Sequence, residues 1–141
     1  MAHWKYDFTG RTTPAMIRQT PNGRIDVSFC IDEQISEAEN TCPAQRHVVA
    51  FAHRVGTNNT YMLKIRYDLN PDYFEIDDKK EWREACDYHY LVELDVVRAA
   101  CDAGHGPSLI DWGTTKQGPD MPYPNGLMDA FISRCALLER S

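Results

Sequence analysis

The stretch that decides the fold is DKKEWREACDYHYLVELDVVRAACDAG, residues 78–104. Its apolar residues recur at spacings of three and four, which is the period of an α-helix. Asp77 or Asp78 can cap the first turn, and Glu81 stands three residues after Asp78, close to a capping box. Gly104 suits the left-handed position that often ends a helix. The pattern therefore predicts a helix from about residue 79 to 103.

This predicted helix has a broad apolar arc and an opposite charged side. At about 100° per residue, the arc contains Trp82, Ala85, Cys86, Val92, Val96, Val97 and Ala100. His89 and Glu93 fall near its centre, four residues apart, where their side chains can meet. A carboxylate against a core is costly unless it is paired. The commoner explanation is a satisfied core hydrogen bond, and the alternative is a site in which Glu93 orients His89 as a base or ligand.

The residues before the helix are predicted to form strands. Asn22-Gly23 is a typical hairpin turn, and the residues on both sides alternate between apolar and polar. The candidate strands are residues 3–8, 16–21, 24–31, 46–55 and 60–67. Strands joined as hairpins favour an antiparallel sheet.

The remaining segments are predicted to be loops and a second helix. Residues 32–45 are polar and read as a loop with a helical turn around 36–40. Nine glycines and prolines in residues 104–126 indicate a long ordered loop or a mobile lid. Residues 126–139 carry an apolar stripe at helical spacing. The predicted fold class is α+β, with four to five antiparallel strands packed on one face by the long helix and this C-terminal helix.

Size and composition indicate one globular domain, residues 1–141. The chain is 43% hydrophobic, which is enough for a core. It has no apolar run of about 18 residues and no apolar N-terminal signal segment, so we expect a cytoplasmic protein without a membrane span. The five cysteines are widely spaced without a Cys-x-x-Cys pair, and we expect buried thiols rather than disulfides or a zinc ribbon.

Motifs for catalysis or metal binding are weak. The sequence has no nucleophile elbow, P-loop or dinucleotide fingerprint. His47 and His53 share one face of a predicted strand and, with His89 and Glu93, would offer metal ligands, but their spacing matches no compact ligand motif. His105 lies between two glycines on the predicted lid. The sequence therefore predicts neither a bound metal nor a cofactor, and His89, Glu93 and His105 are catalytic candidates only if the protein is an enzyme.

The net charge of −6 is concentrated in one segment. Residues 68–95 contain ten acids and three bases, while the rest of the chain is nearly neutral. Direct nucleic-acid binding is disfavoured because it needs a basic face. Aromatic residues accompany the acids, and such side chains are typical anchors of protein interfaces. The candidate binding residues are Asp68, Asp72, Tyr73, Glu75, Asp77, Asp78, Glu84, Asp87 and Tyr88.

Three hypotheses for function follow. The first is a small stoichiometric protein-binding module, such as an inhibitor or a phage accessory protein, that engages a basic partner surface, for example on a nucleic-acid-binding protein. The second is a small hydrolase with a His/Glu site. The third is a structural or assembly subunit that forms a homo-oligomer. We favour the first because no catalytic motif is present.

Overall fold

A computed structural model describes residues 4–13, 16–20, 23–41, 44–104 and 109–134. Within these ranges the chain forms seven strands, a short 3-10 helix and one long α-helix. In chain order they are β1 Met16–Thr20, β2 Gly23–Val27, β3 Phe29–Thr41, β4 Ala44–Arg54, β5 Thr60–Asp68, the 3-10 helix Pro71–Phe74, α1 Lys79–Asp102, β6 Leu109–Lys116 and β7 Leu127–Arg134.

The seven strands form one antiparallel sheet in the order β2-β1-β6-β7-β5-β4-β3. The two end strands, β2 and β3, are separated in the chain by Ser28 alone. Because two residues of extended chain span only about 7 Å, the sheet must curl until its ends approach each other. Apolar side chains fill the concave face, where the small residues Ala50, Ala52 and Ala130 are fully buried beside Leu63 and Ile65.

The N-terminal segment, residues 5–13, lies along the outer edge of β3. Main-chain hydrogen bonds join Gly10 N to Ile31 O at 2.8 Å and Thr13 N to Phe29 O at 2.8 Å. Farther along β3, the Phe8 amide donates to the side chain of Gln34 at 2.9 Å. The segment therefore satisfies polar groups that an end strand would otherwise expose.

The long helix lies on the opposite, convex face of the sheet. Its first turn is capped by Asp78, whose carboxylate accepts from the Glu81 amide at 3.0 Å, and Gly104 has a φ of 75° just beyond its end. The Tyr90 ring stacks on Phe131 of β7 with centroids 5.5 Å apart. The predicted α+β class, antiparallel sheet and long helix are thus confirmed.

The predicted C-terminal helix at 126–139 is wrong for the part that the structure describes, because residues 127–134 form β7. This strand lies between β5 and β6 and is covered by the core on one face and α1 on the other. Leu127, Met128, Phe131 and Ile132 are therefore all at least partly buried. A short run that is apolar on both faces does not distinguish a strand from a helix.

Four further predictions differ from the structure. Residues 32–45, predicted as a loop, belong mainly to β3 and the start of β4, and the predicted lid contains β6. Charged end strands such as β3 are common because charge blocks edge-to-edge pairing. In the candidate strand 3–8, the described residues 4–8 have no strand structure. The sheet has seven strands rather than four to five.

Candidate protein-binding face

The side of α1 that faces the sheet overlaps the predicted arc but is shifted around the helix. Cys86 is buried and Trp82, Ala85, Val97 and Ala100 are partly buried, as predicted. Val92 and Val96 are exposed, whereas Glu93 and Leu94 face inward. The observed inward side is rotated about the helix axis from the predicted one. The rotation is smaller than the ~100° that separates neighbouring helix residues. His89 moves into solvent with this rotation, so its predicted burial in the apolar arc is wrong.

The solvent side of α1 combines large apolar residues with carboxylates. Tyr88, Leu91, Val92 and Val96 are all exposed, and spacings of three and four place them on one side of the helix. We call this side the outer helix face, and it comprises Glu81, Glu84, Tyr88, Leu91, Val92, Asp95, Val96, Ala99 and Asp102. Four exposed apolar side chains on one helix form a patch of the kind that marks interaction sites.

The charges of the outer helix face have one sign. All four of its residues that are charged at neutral pH are acids. Two of the nearby bases have partners elsewhere: Arg83 pairs with Asp68 and Asp87, and the Arg98 guanidinium lies 5.1 Å from the centre of the Trp112 ring. Lys80 is exposed in the first turn of the helix. The face therefore presents apolar contact area in a negative field.

A second group of predicted binding residues precedes the helix. Asp72, Tyr73, Glu75, Asp77 and Asp78 are exposed, and we call them the acidic turn. Tyr73 is 81% exposed, more than any other large apolar or aromatic residue that the structure describes. Asp72 lies 3.3 Å from the ammonium of Lys79 in the first turn of α1, so the acidic turn is held at the N-terminal end of the helix.

One predicted binding residue, Asp68, does not belong to this surface. It is 1% exposed, and its carboxylate accepts from Gln45 at 3.1 Å and from the Leu127 amide at 3.0 Å. It also pairs with Arg83. Asp68 therefore ties the helix to β4, β5 and β7, and the prediction that it contacts a partner is wrong. Glu84, Asp87 and Tyr88 are exposed.

The predicted catalytic residues have different surroundings in the structure. Glu93 forms ion pairs with Lys64 and Arg66 of β5, which explains how its carboxylate is accommodated against the sheet. His89 is exposed on the neighbouring side of the helix. His105 lies outside the described residues. The paired His/Glu site thus loses the buried arrangement on which it was predicted.

The interface between α1 and the sheet contains polar groups, and burial shifts the pKa values of His47 and Asp129 in opposite directions. Burial, reinforced by the charge of Arg66, lowers the pKa of His47 to about 4. Burial raises the pKa of Asp129 to about 6, although its hydrogen bond from Thr114 at 2.8 Å favours the ionised form. The sequence pattern did not predict this polar layer, because the composition of the layer depends on which face of the sheet the helix covers.

Comparisons with protein-family models, curated proteins and solved structures give no match. In the described part of the chain, no helix is both long enough and apolar enough to cross a membrane.

Proposed function

We propose that this chain is a stoichiometric protein-binding module whose outer helix face and acidic turn dock on a partner protein. The observation that carries the proposal is the row of exposed apolar residues Tyr88, Leu91, Val92 and Val96 on a helix that is already anchored to its own sheet. A rigid helix loses little conformational freedom on binding, which favours affinity.

The partner that fits this face has an apolar groove bordered by lysines and arginines. The helix has 24 residues and is therefore about 36 Å long, which suits recognition of a helix lying in a groove. Glu81, Glu84, Asp95 and Asp102 accompany the apolar row. Complementary charge at an interface speeds encounter and excludes partners of the wrong sign.

The same charges disfavour the alternative that the face binds a second copy of this chain. A two-fold contact brings identical patches together. On this face it would bring carboxylates against carboxylates, with no base among the residues of the face to separate them. Like charges that meet at an interface cost several kcal/mol.

The test begins by trapping the partner in the organism that encodes the protein. A photo-crosslinking amino acid replaces Val92 in one variant and Val55 in the other. Val55 is the matched control because it is an exposed valine in the turn before β5 rather than on the helix. The protein captured through position 92 alone is identified, purified and titrated with the full chain by calorimetry.

The valines also provide the quantitative comparison. Val96 is 62% exposed and Val55 is 53% exposed, so Val96→Lys and Val55→Lys exchange similar surfaces. We expect Val96→Lys to weaken binding at least tenfold, because burial of a valine is worth about 1.5 kcal/mol or more and the new charge repels a basic groove. Val55→Lys should bind as the wild type does, and affinity should fall as salt rises.

Two results would overturn the proposal. Equal affinities of the Val96→Lys variant and the wild type for the partner would show that the outer helix face is not part of the interface. A wild-type dimer in light scattering that Val96→Lys converts to a monomer would identify the partner as a second copy and favour the assembly hypothesis instead.

A further inference from the structure

A second cluster of reactive side chains lies on strands β3 and β4. Cys30 and His53 are directly opposite each other in the antiparallel ladder, so their side chains project from the same face. Asp32 follows two residues after Cys30, at the point where a bulge between Ile31 and Glu33 shifts the register. The sulfur, a carboxylate oxygen and a ring nitrogen all lie within 4.8 Å of one another.

The carboxylate at the bulge contacts the histidine. An Asp32 oxygen lies 2.8 Å from Nδ1 of His53, and the second oxygen lies at 3.1 Å. Bulges commonly redirect a side chain in this way. The surroundings also hold this part of β3 in place, because the Ile31 amide donates to Arg11 O at 2.9 Å and Thr12 pairs with Cys30 across the outer edge.

We propose that Cys30, Asp32 and His53 form a three-ligand site for a zinc ion. Thiolate, imidazole and carboxylate are the side chains that bind Zn²⁺, and a thiolate disfavours the hard cations Mg²⁺ and Ca²⁺. With bonds of about 2.0–2.3 Å, tetrahedral ligand atoms are roughly 3.3–3.8 Å apart. The three ligand atoms, which all lie within 4.8 Å of one another, are close to that spacing.

The site leaves one coordination position for water or another ligand. Cys30 is half-buried, while the side chains of His53 and Asp32 are 33% and 43% exposed, so an ion can enter from solvent. Three protein ligands with an open fourth position are typical of zinc that acts on a bound molecule, whereas structural zinc has four protein ligands. Binding displaces the Cys30 thiol proton to solvent, and affinity therefore rises with pH.

The test uses the full chain without a histidine tag, prepared with reductant and freed of metal by a chelator. Co²⁺ is added as a spectroscopic substitute for Zn²⁺, and Zn²⁺ affinity is then measured by competition with a chromogenic chelator. We expect one equivalent of Co²⁺ to produce a sulfur-to-cobalt charge-transfer band, together with intense visible bands typical of four-coordination. Zn²⁺ should abolish both.

Single substitutions identify the ligands. Cys30→Ser should abolish the charge-transfer band, and Asp32→Asn and His53→Ala should each weaken Zn²⁺ binding at least tenfold, as expected when even indirect partners of a metal cost about 10–100-fold. Cys86→Ser, on α1, is the matched cysteine control and should retain the band. Thermal unfolding of each metal-free variant verifies that it is folded.

The outcomes separate clearly. A charge-transfer band that persists in Cys30→Ser, or a wild type that gives no such band, would overturn the proposed site. Because the three ligands belong to β3 and β4 and the proposed protein contact belongs to α1, either proposal can fail without the other.

Discussion

Replacing Asp129 by asparagine should stabilise the protein at neutral pH. Asp129 lies on β7 beneath the helix, and burial, with the nearby charge of Asp68, raises the pKa of Asp129 from 3.8 to about 6. Two pKa units correspond to at most about 3 kcal/mol. Allowing for local relaxation, we expect Asp129→Asn to increase the free energy of unfolding by about 1–2 kcal/mol, because asparagine keeps the acceptor for Thr114 without the charge.

The sign of this effect depends on pH. Between pH 3.8 and about 6 the native carboxyl holds a proton that the unfolded chain has released, so wild-type stability decreases as pH rises through this window. The gain from Asp129→Asn should therefore be complete above about pH 6 and disappear near pH 4. Urea unfolding from pH 4 to 8 measures it, and thermal unfolding at pH 7.5 should shift by about 3–6 °C. A destabilised variant at pH 7.5, or an equal gain at pH 4, would refute this reasoning.

His47 provides the control with the opposite slope. Its pKa is lowered from 6.5 to about 4, first by burial and then by Arg66. The stability due to the neutral imidazole is complete above pH 6.5 and is lost as pH falls through about 4. His47→Gln has no group to protonate, so its stability relative to wild type should improve towards acid, whereas that of Asp129→Asn should improve towards neutral pH.

Two further substitutions test how α1 is anchored. Glu93→Gln should lower the free energy of unfolding in urea by about 2–3 kcal/mol, because it leaves the buried guanidinium of Arg66 without its counter-charge. The control Glu84→Gln, on the exposed side of the helix, should change this free energy by less than about 0.5 kcal/mol. Asp78→Ala should cost about 1 kcal/mol through loss of the helix cap; equal effects of Asp78→Ala and Asp77→Ala would contradict the cap assignment.

The helix was predictable because its signals are local. Asp78 and Gly104 mark its ends, and the intervening spacing excludes a strand. Its orientation was not predictable, because the convex face of the sheet presents polar groups such as Arg66 and Asp129. Glu93 therefore faces the sheet, where it pairs with Arg66, and Val96 is exposed to solvent.

The strands were predictable only where a turn or alternation identified them. The first two strands pair antiparallel around the predicted hairpin turn. By contrast, β3 is polar and is defined by its pairing with β4, and β7 is apolar on both faces because of neighbours distant in sequence. For the candidate binding face, the sequence predicted the excess of acids and Tyr88, but Leu91 became part of it only when the helix orientation was known.

The N-terminal segment along β3 also determines how the protein should be handled. Removal of residues 5–13 would leave the backbone of Phe29 and Ile31 without its present partners. An uncovered edge of this kind recruits strands from other molecules and promotes aggregation. Tagged or fused versions of the protein that lack these first residues therefore risk being insoluble, even though the segment itself contains no regular secondary structure.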